Sequence, residues 1–106
     1  MGRNFGGFGG GNMQAMMKQA QRMQEEALRA KEELDATIFE GTASGGLVKV
    51  EINGKFEMVS IKLDPSVVDA DDVEMLEDLI VAGFNDAKSK ADDAKAERLG
   101  ALGGLI

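Results

Sequence analysis

Between Asn12 and about Ala36 the apolar residues Met13, Met16, Ala20, Met23, Ala27, Ala30 and Leu34 recur at alternating intervals of three and four. This is a heptad seam, and a second helix is expected along it. Good helix formers fill the segment without Pro or Gly, and Asn12 is placed to cap its start. The pattern therefore predicts one helix on the order of 35 Å long, at about 1.5 Å per residue. That exceeds what a three-stranded sheet can cover, so part of it must project or pair elsewhere.

The period then changes from helical to alternating. Thr37 to Ala43 is rich in β-branched and aromatic residues, Ser44-Gly45-Gly46 reads as a turn, and Val48, Val50 and Ile52 alternate with Lys49 and Glu51. Asn53-Gly54 predicts a two-residue hairpin turn, both residues tolerating positive φ. Counting back from it, Lys55 to Leu63 returns with Val59 opposite Val48 and with Ile61 and Leu63 on the same face. Phe56 and Met58 then fall on the other face, beside Lys49 and Glu51, where a partner subunit could meet them. Pro65 ends the strand by lacking an amide hydrogen.

A second long helix is predicted from near Asp71, with Glu74 at capping-box spacing, to about Arg98. Val73, Leu76, Ile80, Phe84, Ala87, Ala91 and Ala94 form its buried stripe, widened by Met75 and Leu79. The expected architecture is α+β in the order α-β-β-β-α, a three-stranded antiparallel sheet with both helices on one face. Residues 1–11 and 99–106 are glycine-rich and are expected to be flexible tails around one domain at 12–98.

Composition narrows the chemistry. The 106 residues contain no Cys, His, Trp or Tyr, which removes thiolate nucleophiles, imidazole bases and the usual zinc ligands. No paired acid/base constellation or phosphate-cradling loop can be read, so neither an enzyme nor a cofactor is expected. No run approaches a membrane span and no signal pattern opens the chain, so a cytoplasmic protein without membrane contact is expected. A single domain of this size with helices longer than its sheet favours a homodimer.

The formal net charge of −7 opposes simple nucleic-acid binding, but its distribution is uneven. The first 24 residues hold Arg3, Lys18 and Arg22 and no acid, whereas Asp64 to Asp86 holds eight acids and no base. Acids at the start of a helix complement its dipole, and no EF-hand spacing marks them as metal ligands. Lys18, Arg22 and Arg29, with the cluster from Lys88 to Arg98, could reach phosphates from helix ends that the sheet leaves uncovered. The alternative is that they are solvated side chains paired with nearby glutamates at helical spacing. Met13, Met16, Met17 and Met23 could form an adaptable surface for a variable partner or, as the heptad register favours, a self-association seam.

The runs MKQAQRMQEE, GGLVKVEINGKFEMVSIKLDPSVV and DVEMLEDLIVAGFNDA together resemble the YbaB/EbfC family of nucleoid-associated proteins, over roughly residues 13 to 98. The resemblance implies a tweezer-like, cytoplasmic homodimer that binds double-stranded DNA in the nucleoid with little sequence preference. Its DNA contacts, carried onto the basic positions of the two helices, point to Lys18, Arg22, Arg29, Lys88, Lys95 and Arg98. Met16, Met23, Phe56 and Met58 are the expected dimer contacts. The alternative function is a module that docks on replication or recombination proteins, with DNA contact incidental.

Overall fold

In a computed structural model, the chain forms α1 (Gly2–Ala36), β1 (Phe39–Ala43), β2 (Val48–Ile52), β3 (Met58–Leu63) and α2 (Val73–Gly103). Backbone is described for residues 2–103 and side chains for residues 12–98 and 100. The glycine-rich tails expected at 1–11 and 99–106 lie, apart from Gly100, outside the residues whose side chains are described. The chain divides into two compact units, residues 1–31 and 32–106.

The first unit is helix alone. From Asn12 to Lys31 every side chain except Ala30 is exposed, including the seam residues Met13, Met16, Ala20, Met23 and Ala27. Of the seam predicted from the heptad spacing, Met13 to Ala27 are exposed, while Ala30 is buried and Leu34 half-buried.

The second unit carries the sheet, ordered β1-β2-β3 and antiparallel throughout. Its core joins Val48, Val50 and Ile52 of β2, all fully buried, to Ala43, Val67, Ala87 and Ala91. α2 lies over β1 and β2 rather than β3. Close approach is possible because two glycines meet there: a Cβ on Gly41 would collide with the Gly83 carbonyl and the Ala87 amide, while Gly83 faces Val48 and Val50. The helix that packs on the sheet of this unit is α2. α2 begins at Val73 rather than Asp71, and the cap is Asp72, whose carboxylate accepts from the Met75 amide at 3.2 Å.

The β2–β3 connection corrects the sequence reading in two linked ways. The loop has three residues, Gly54, Lys55 and Phe56, closed by the Asn53 amide donating to the Glu57 carbonyl at 3.0 Å. The Asn53 carboxamide oxygen accepts from the Lys55 amide at 2.9 Å and the Glu57 amide at 3.1 Å, and Phe56 takes the left-handed conformation, φ 63°. A type I turn followed by a left-handed residue is the usual three-residue solution. Phe56 thus sits in the turn, packed against the core, and not on the strand face beside Lys49 and Glu51.

A three-residue loop displaces the returning strand by an odd number of positions from the two-residue expectation, which alone would turn Ser60 and Lys62 toward the core. A bulge prevents this: Ile52 pairs with Met58 and Glu51 with Ser60, leaving Val59 as the extra residue. The pairing beyond it is Val50 with Ile61 and Val48 with Leu63, so Leu63 and not Val59 stands opposite Val48. Ile61 and Leu63 return to the apolar face, as the alternation predicted, by a different route.

Candidate nucleic-acid interface

The basic residues singled out in the sequence fall into two groups with different surroundings. Lys18, Arg22 and Arg29 are exposed on α1, and among the described residues none forms an ion pair. At 3.6 residues per turn their positions fall within roughly 40° of arc, a stripe about 16 Å long. The methionine and alanine seam occupies the opposite side of the same helix. Glu25 and Glu26 each lie one turn from both Arg22 and Arg29 in sequence. The glutamate pairing considered from helical spacing is not formed by these three residues.

Lys88, Lys95 and Arg98 on α2 are already engaged. Lys88 pairs with Asp92 at 3.0 Å, and its Nζ lies 5.2 Å from the centre of the Phe56 ring. Lys95 Nζ sits 4.0 Å over the same ring, and Arg98 donates to the Glu33 carboxylate. A ring flanked by two ammonium groups gains from its negative face. Here it ties the hairpin turn to the second half of α2. Phe56 was legible as an apolar residue but not as this platform, because its place depends on the three-residue loop.

α2 also closes one edge of the sheet. The Asp86 carboxylate accepts from the Thr42 amide at 2.9 Å, and Lys90 Nζ donates to the Glu40 carbonyl at 2.8 Å. The Thr42 amide, with Lys90 beside it, holds the Asp86 carboxyl below the usual range. Both backbone groups belong to β1, an edge strand, so α2 side chains take the place of a further strand there. β3 forms the other edge, and α2 does not extend over it. Its Met58, Val59, Ile61 and Leu63 are exposed, the last two at 39% and 36%.

Of the expected dimer contacts, Met16, Met23 and Met58 are exposed and Phe56 is half-buried beneath the two lysines. Among the described residues no three carboxylates converge as a metal site, and no helix is long and apolar enough to cross a membrane.

The model of the YbaB/EbfC DNA-binding family matches residues 9–106. The chain belongs to that family. A "Nucleoid-associated protein" of Pelotomaculum thermopropionicum is 50% identical over 97 residues, 92% of each chain. One of Caldanaerobacter subterraneus is 49% identical over 100 residues, 93% of this chain and 90% of the relative. One of Mycobacterium tuberculosis is 46% identical over 97 residues, 92% of this chain and 73% of the relative. An uncharacterized protein of Helicobacter pylori, solved by crystallography, shares the fold, with a TM-score of 0.67 at 23% identity over 86% of this chain and 94% of that one. These matches identify the family's DNA-binding class and give no support to the protein-docking alternative.

Proposed function

We propose that the protein is a nucleoid-associated protein of the bacterial cytoplasm that binds double-stranded DNA through its phosphates, as a homodimer, with little dependence on sequence and without catalysing a reaction. The observation that carries this reading is the Lys18, Arg22 and Arg29 stripe: three exposed cations in line on one helix face, in a chain of a DNA-binding family. Each strand of a duplex carries one phosphate per about 3.4 Å of helix axis, so a line of about 16 Å along that axis spans several of them. The eight acids between Asp64 and Asp86 oppose the approach of DNA, and binding is accordingly weak and salt-sensitive.

Fluorescence anisotropy of a labelled duplex, titrated at several salt concentrations, tests it. Lys18→Ala with Arg22→Ala should weaken binding on all sequences alike and flatten the dependence of log affinity on log salt by about two for each protomer that touches the duplex, one for each lost phosphate contact. An unchanged slope would remove the α1 stripe from the interface.

The second copy is proposed to meet the first at β3. Ile61 and Leu63 continue the face that α2 covers on β2 but are left exposed, and their strand is the edge that α2 does not close. A second β3 would cover that face and extend the ladder. Met58 belongs to this strand, so one of the four expected contacts is retained, while Phe56 is already occupied by lysines. Ile61→Asp should convert a dimer to a monomer in size-exclusion chromatography with light scattering. A variant that elutes as a dimer would place the interface elsewhere, with the methionine seam of α1 as the next surface to test.

A further inference from the structure

Lys49 of β2 and Lys62 of β3 are direct cross-strand partners, and their side chains lie on the sheet face turned away from Val48, Val50 and α2. Like charges set directly opposite one another repel. Neither is in an ion pair among the described residues, and both are exposed. The glutamates of the same face are paired with each other instead, Glu40 with Glu51, one row further along. The sheet thus separates its charges where alternation would have neutralised them.

The lysine row has a shape as well as a charge. With Gly46, Leu47, Asp64 and Pro65 the two lysines line a cleft of about 280 Å³ at the end of the sheet where β1 turns into β2. A Cβ on Gly46 would meet only Lys49 Cε, at 3.9 Å, so the lysine stem runs beside the bare turn. The one carboxylate at the cleft, Asp64, accepts from the Ser66 amide at 2.9 Å, which holds its carboxyl below the usual range. Lys95 and Lys88 stack on Phe56, beyond the other end of β2. The two basic clusters of this unit are therefore separated by the length of the strand.

We propose that Lys49 and Lys62 form a second phosphate-binding site, whose ligand is the backbone of a second DNA duplex, so that the protein bridges two DNA segments as well as binding one. Two ammonium groups facing each other across strands can share a single phosphodiester, which relieves their repulsion and needs no base contact. The site lies on the sheet, in a different unit of the chain from the Lys18, Arg22 and Arg29 stripe. The proposal rests on the DNA-binding reading above.

Its test separates the two. Full-length protein is added to a bead-bound duplex, and capture of a second, fluorescent duplex is measured beside ordinary anisotropy on a single duplex. The wild type is expected to capture the second duplex, more weakly as salt rises. Lys49→Gln with Lys62→Gln is expected to bind one duplex near the wild-type affinity, which also establishes that it folds, while capture falls to background. Capture by the double variant equal to the wild type, or a wild type that binds one duplex but captures no second, would overturn the site. A wild type that binds no duplex at all would overturn the DNA-binding reading and this proposal with it.

Discussion

Replacing Gly41 by valine is expected to destabilise the protein by about 3 kcal/mol or more, at the upper end of what overpacking costs. The cause is steric. A Cβ at this position falls on the backbone of α2, at the Gly83 carbonyl and the Ala87 amide, and meets Ala87 Cβ at 2.8 Å. Flexible side chains can move aside, but here the obstacle is helix backbone fixed by its own hydrogen bonds, so helix and sheet must separate. That separation would also draw Asp86 and Lys90 away from the Thr42 amide and the Glu40 carbonyl. Urea denaturation at fixed chain concentration should show a lower midpoint with an unchanged slope. An unshifted midpoint would mean that α2 does not pack on β1 at this distance.

Ile52→Ala is the second large effect, expected at about 2 to 5 kcal/mol. Ile52 is fully buried at the end of β2, beside the bulge and the loop that carries Phe56. Truncation leaves a cavity between strand and helix that backbone pinned by the Asn53 carboxamide cannot close. Val81→Ala is the control. Val81 is 58% exposed on α2, and its truncation should stay within about 0.5 kcal/mol of the wild type. Equal shifts in the two variants, read by the same denaturation, would mean that the core is not centred on β2.

The order of elements could be read from the sequence because each has its own period: three and four for the helices, two for Val48, Val50 and Ile52. The register could not. Asn53-Gly54 fits a two-residue turn, yet the Asn53 carboxamide accepts two backbone amides and supports a longer loop, an alternative that the residue types do not exclude. The bulge at Val59 that compensates for it leaves no mark in an apolar run, since Val59 suits a paired or an extra position equally. Among the basic residues, position on a helix was legible but engagement was not. Lys18, Arg22 and Arg29 share a face by spacing alone, whereas the contacts of Lys88 and Lys95 depend on where Phe56 folds. Lys49 and Lys62 became partners only once the true register set them opposite each other.

The unequal edges of the sheet also govern how far assembly can run. A strand open on both sides can add copies head to tail without end, and such growth gives fibres. Here Asp86 and Lys90 occupy an outward amide and an outward carbonyl of β1, which leaves β3 as the more open edge. In the dimer proposed through β3, the two copies would turn the same surface toward each other, and backbone pairing would stop at two. Whatever gathers these proteins in larger numbers must then be supplied from outside the sheet, and a long duplex can do so while each protein stays a discrete, closed unit.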